Sequence, residues 1–158
     1  MDLLGIYLND HLAGATAGVE LARRGAGAHK GKKSGALFRQ LAEEIAEDRA
    51  ALLRIMRALG VSAQQYKVCA GWIAEKIGRL KPNGRLTSRS PLSDLLELEV
   101  MRLGIEGKAS GWRTLRAVAE HDDRLSAEEL DELLARARRQ ADTVEKLRTE
   151  TAEAIFGP

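Results

Sequence analysis

The chain has 158 residues, the size of one ordinary domain, and its 25 basic and 23 acidic side chains leave a formal charge of +2 that selects no partner. A single cysteine, Cys69, excludes an internal disulfide, a Cys-x-x-Cys redox pair and a cysteine-built zinc site. No apolar run approaches the roughly 18 residues that span a bilayer, and no basic region opens the chain, so a cytoplasmic protein without a membrane partner is expected.

Only 4% of the residues are aromatic, so the core must be built from Leu, Ile, Val, Ala and Met, and strand-type alternation is nowhere sustained. An all-α fold follows. The first helix is expected over about 2–24, with Leu4, Leu8, Leu12, Ala15, Val19 and Ala22 recurring at steps of three and four. Gly25, Gly27, Gly31 and Gly35 then read as a mobile, cationic loop. A second helix over about 36–59 carries Leu41, Ile45, Leu52, Ile55, Met56 and Leu59, with Gly60 as its stop. Two helices of nearly equal length joined by a short loop predict an antiparallel hairpin.

Ser62 suits the N-cap of a shorter helix over about 62–80, carrying Val68, Cys69, Trp72, Ile73 and Ile77. Lys81-Pro82-Asn83-Gly84 ends it with turn chemistry. Ser90-Pro91 opens a fourth helix over about 91–121, whose seam is Leu98, Met101, Ile105, Trp112, Leu115 and Ala119. Ser126 and Glu129 form the pattern of a capping box for the last helix, about 126–155, with Leu130, Leu134, Ala137, Ala141, Val144, Thr151 and Ile155 inward. The whole chain is expected as one helical domain.

The order hairpin, crossover, hairpin resembles the ferritin-like fold, a four-helix bundle with an additional shorter crossover helix. The strings Tyr66 to Glu75, Gly111 to Ala117 and Ala141 to Leu147 resemble the crossover, third-helix and fourth-helix segments of bacterial stress-associated ferritin-like proteins. That resemblance implies a stress-related role and raises the question of a di-iron centre, which takes about four carboxylates and two histidines, partly as Glu-x-x-His. The chain contains no Glu-x-x-His. His29 falls in the glycine loop and His121 at a helix end, leaving His11 as the one histidine within a bundle helix.

Asp48 lies on the inward stripe of its helix, because Leu41, Ile45, Asp48, Leu52 and Ile55 follow at steps of four, three, four and three. In an antiparallel hairpin His11 falls at the height of Asp48, within reach of a hydrogen bond. Ile105 and Lys108 stand where the resemblance implies acidic ligands, and an ammonium there repels a cation. The last helix offers Ala137, Ala141 and Val144 at its centre, beside Arg138, Arg139 and Gln140. The di-metal site therefore reads as lost, with no cofactor expected. His11, Asp48 and Lys108 are expected as a polar interior cluster that leaves no charge buried alone. The sharper alternative is a single-metal oxidoreductase with His11 and Asp48 as ligands.

Glu99, Arg102, Glu106 and Arg113 share one face of the fourth helix and can form an ion-pair ladder. Leu92, Leu95 and Leu103 border it, so that face is also a candidate contact in a homo-oligomer, a dimer favoured. Two basic stretches, 23–33 (Arg23, Arg24, Lys30, Lys32, Lys33) and 79–89 (Arg79, Lys81, Arg85, Arg89), offer a nucleic-acid or anionic-surface alternative, although neither interleaves aromatics with its cations. Serine-hydrolase, P-loop and dinucleotide signatures are absent, and Cys69 has no histidine close in sequence to activate it. The leading expectation is a non-catalytic ferritin-like scaffold.

Overall fold

The computed structural model describes residues 3–64 and 90–158. Every regular element among them is a helix: α1 Leu3–Ala28, α2 Lys33–Ala58, α3 Pro91–Val118 and α4 Ala127–Phe156. None of these helices is long and apolar enough to cross a membrane. The shorter helix expected over 62–80 lies, beyond Gln64, outside the described residues, as do Cys69, the Tyr66 to Glu75 string and the basic stretch 79–89.

The cross-helix contacts give the topology. Thr16 meets Arg49 and Gly18 approaches Ile45, so α1 and α2 are antiparallel. Tyr7 meets Thr114 while Arg24 meets Glu97, so α1 and α3 are antiparallel too. Arg116 with Asp131 and Lys108 with Gln140 make α3 and α4 antiparallel. It follows that α2 and α3 run parallel. The end of α2 and the start of α3 therefore lie at opposite ends of the bundle: the Leu59 carbonyl accepts from Arg124, in the turn after α3, whereas Asp94 lies beside His29, in the turn after α1.

The helix ends follow local chemistry. Ser90 caps α3 by accepting from the Leu92 N–H, with Pro91 at the first helical position. Ser126 accepts from the Glu129 N–H, but the Glu129 carboxylate does not return to the cap; it pairs with Arg54 of α2 at 3.0 Å, so tertiary contact replaces half of the expected capping box. Gly60, at φ +73°, closes α2 in the left-handed conformation, and the Val61 N–H reaches back to the Met56 carbonyl.

The largest departure from the sequence-based reading is the glycine segment. α1 continues through Gly25 to Ala28 and α2 begins at Lys33, leaving 29–32 as a turn in which Gly31 takes φ +81°. Two of its glycines are buried packing positions. A Cβ on Gly25 would lie 2.5 Å from the Phe38 ring, and one on Gly35 would collide with the His29 carbonyl. Phe38 is 4% exposed and stacks with His29 at 5.4 Å. Close approach, rather than chain mobility, is what these two glycines supply.

The core is a continuous aliphatic layer with Trp112 and Phe38 as its aromatic members. On α4 the buried stripe is Leu130, Leu133, Ala137, Gln140, Val144 and Leu147, at alternating steps of three and four, with Ala141 beside it. Leu134, Thr151 and Ile155, expected inward, are half-buried. At the far end, buried Asn9 donates to the Gly5 and Ser62 carbonyls and accepts from the Gln64 N–H at 2.7 Å, holding the chain after α2 against α1. Ser62 thus takes part through its carbonyl in a non-helical stretch over 61–64.

Candidate functional site

Asp48 is 1% exposed, at the middle of α2, where the three-four stripe turns it inward. A carboxylate without water must be matched by charge and hydrogen bonds. Arg136 of α4 donates to Oδ1 at 2.7 Å, Gln140 donates to Oδ2 at 3.1 Å, and the Lys108 ammonium of α3 also binds Oδ2. Lys108 donates in addition to the Gln140 amide oxygen, and Gln140 donates to Glu44 at 3.2 Å. Arg136 reaches outward to Glu47 at 2.8 Å. Three helices are thereby joined through one buried carboxylate. Burial pushes the Lys108 pKa below the ordinary lysine value, and the attraction of Asp48 opposes that shift.

The structure joins Asp48 to Lys108 but does not join either to His11. Among the described residues His11 makes no hydrogen bond, so the His11 to Asp48 bond expected from helix height does not form. Its ring meets Tyr7 edge-on at 4.5 Å and faces Gly111, where a Cβ would lie 3.0 Å away. Equal height on neighbouring helices does not fix rotation about their axes: Asp48 turns toward α4, whereas His11 turns toward α3.

Burial lowers the His11 pKa below its ordinary 6.5, with Asp10 pulling weakly the other way. The unfolded chain then takes up a proton more readily than the folded one between the folded value and 6.5, so stability falls as pH drops through this window. We expect the His11 ring protons to titrate by NMR with a midpoint below 6.5. Urea unfolding at pH 7 and pH 5 should show a smaller loss in His11→Phe than in the parent chain. A midpoint at or above the ordinary value would contradict the half-buried, neutral imidazole.

Arg136 and Gln140 are the direct partners of Asp48 that sequence reasoning missed. A signal existed: Gln140 continues the alternating three-four steps of Leu130, Leu133, Ala137, Val144 and Leu147, a stripe rotated slightly from the one through Leu134 and Ala141. Arg136 had no such signal, because its long side chain reaches Asp48 from the edge of the stripe and remains partly exposed.

Donor chemistry argues against a metal centre at Asp48. Both Asp48 oxygens accept from cationic or amide donors, α3 contributes Ile105 and an ammonium, and α4 contributes Gln140 with small aliphatic residues. Among the described residues no three of His, Cys, Asp and Glu converge. The described residues do not fit a carboxylate-bridged metal pair.

The remaining sites are simpler. Glu106 pairs with Arg102 at 2.8 Å and Arg113 at 3.6 Å, and its pKa is lowered chiefly by the Arg102 hydrogen bond. The ladder also continues across to α4, where Glu145 meets Arg102 and Arg148, while Glu99 is half-buried. Of the bordering leucines, Leu95 is in the core, Leu92 is half-buried and Leu103 is 72% exposed. In the basic segment, Arg23 pairs with Glu20 and Arg24 with Glu97, whereas Lys30, Lys32 and Lys33 are exposed around the turn. Comparison with models of known families, with curated proteins and with solved structures returns no match.

Proposed function

We propose that this chain is a non-catalytic helical scaffold of ferritin-like topology, in which a polar network centred on Asp48 stands where a di-metal centre would lie. The observation that carries this reading is the engagement of both Asp48 carboxylate oxygens by Lys108, Arg136 and Gln140. Each donor competes with a metal for the same lone pairs, and two carry positive charge into the position a cation would need. The parallel course of α2 and α3, whose joined ends lie at opposite ends of the bundle, supports the ferritin-like part of the proposal.

A stress-related role comes from the resemblance of the three sequence strings. Homodimerisation is part of the same reading, with exposed Leu103 beside the Arg102 and Glu106 ladder as the contact; the parent chain should sediment as a dimer and the Leu103→Glu variant as a monomer. Chelator-treated protein, incubated with iron(II), manganese(II) or zinc(II) and desalted, is expected to retain less than one equivalent of metal per chain. Retention of two equivalents, lost in Asp48→Asn, would overturn the proposal.

A further inference from the structure

Between α1 and α3 lies a cleft of about 440 Å³. Small-molecule sites typically measure about 300–1,000 Å³. Native interiors hold few voids larger than a water molecule, and an apolar cavity of about 150 Å³ already binds benzene. The opening has a sequence cause. Glycines stand on both walls, Gly14 and Gly18 on α1, Gly104 and Gly107 on α3. A Cβ at Gly14, Gly104 or Gly107 would meet nothing within 4 Å, so these positions front open space rather than a close helix contact. Leu52, Met101 and Ile105 supply apolar lining, and Trp112 adds its ring together with a buried Nε1–H that has no partner among the described residues.

The glycine walls alone would specify nothing; the polar groups supply the selectivity. His11 lines the cleft, is half-buried, and makes no hydrogen bond among the described residues. Its neutral imidazole can accept a proton donor. Asp48 and Lys108 also border the cleft, but they are bonded to each other and to Gln140, and so present no unmatched interior charge. An anionic guest entering among these aliphatic side chains would lose water without gaining a counter-ion, because Lys108 is already matched and the carboxylate at the rim, Asp10, would repel it.

We propose that this cleft binds an uncharged, largely apolar small molecule carrying one N–H or O–H donor, which His11 accepts. This goes beyond the scaffold reading and rests on the cleft lining and on His11 rather than on the donors around Asp48, so the outcome of metal reconstitution does not decide it.

The test uses the full chain and N-phenylnaphthylamine, an uncharged probe with one N–H whose emission rises in apolar surroundings. A saturable rise at one probe per chain is expected, with the anionic anilinonaphthalene sulfonate binding at least about tenfold more weakly. Gly14→Leu and Gly104→Leu, on opposite walls, should each keep helicity and cooperative unfolding while weakening the uncharged probe by at least about tenfold. His11→Phe, which keeps a ring but removes the acceptor, should weaken it about fivefold, the worth of one hydrogen bond. Absence of saturable uptake, including because another part of this chain fills the cleft, overturns the proposal. So does equal binding of the two probes, or unchanged affinity in both leucine variants.

Discussion

Replacing Asp48 with alanine is expected to lower folding stability by about 3–5 kcal/mol, the cost of leaving a buried ionic group without its partner. Among the described residues Asp48 is the carboxylate bonded to Lys108, Arg136 and Gln140 together, and its side chain is fully enclosed. Its loss strands the Lys108 ammonium, which is 13% exposed, whereas Arg136 is 25% exposed and can still turn to Glu47. Lys108 therefore carries most of the penalty. Asp48→Leu combined with Lys108→Met removes both charges, and should recover at least about 2 kcal/mol of the loss because no unpaired ion remains. Urea unfolding of the single and double variants measures the difference. If the double variant is no more stable than Asp48→Ala, the network's effect is packing rather than electrostatics.

Gly35→Ala should destabilise the fold by about 3 kcal/mol, at the upper end of over-packing, because the colliding atom is backbone. A side chain can rotate away from a new methyl group. The His29 carbonyl cannot, since it accepts the Lys32 N–H that shapes the turn. Gly27→Ala, only eight residues away in sequence, has the opposite sign: it lies exposed in α1 with nothing within 4 Å of its Cβ, so alanine should stabilise by about 0.5–1 kcal/mol. Thermal unfolding of the two variants side by side tests whether 29–32 is the tight turn described. Similar small effects from both substitutions would instead indicate a loosely joined loop.

These glycines show where sequence reasoning reached its limit. Composition alone treats Gly25, Gly27, Gly31 and Gly35 as equivalent breakers. In the fold Gly31 supplies a left-handed turn residue, Gly25 admits the Phe38 ring, Gly35 admits a carbonyl, and Gly27 occupies an exposed helical position. The site follows the same division. Asp48 was legible as inward-facing because its position on a stripe depends only on spacing along α2. Its partners were not, since a hydrogen bond depends on rotations of three helices about their own axes, and a turn of one residue exchanges Ala141 for Gln140.

Local features could be read from the residues alone: an all-helical chain among the described residues, the starts at Ser90 and Ser126, the stop at Gly60, and the stripe that turns Asp48 inward. Caps, glycine conformation and apolar periodicity act over one or two turns of chain, so they can be read without knowing neighbours. Only the tertiary structure decided that Arg136 and Gln140 complete the Asp48 network, that His11 faces a cleft instead, and that the glycine segment is a tight turn. Those outcomes depend on which helix faces meet, and helix packing is set by the summed fit of many side chains across the bundle.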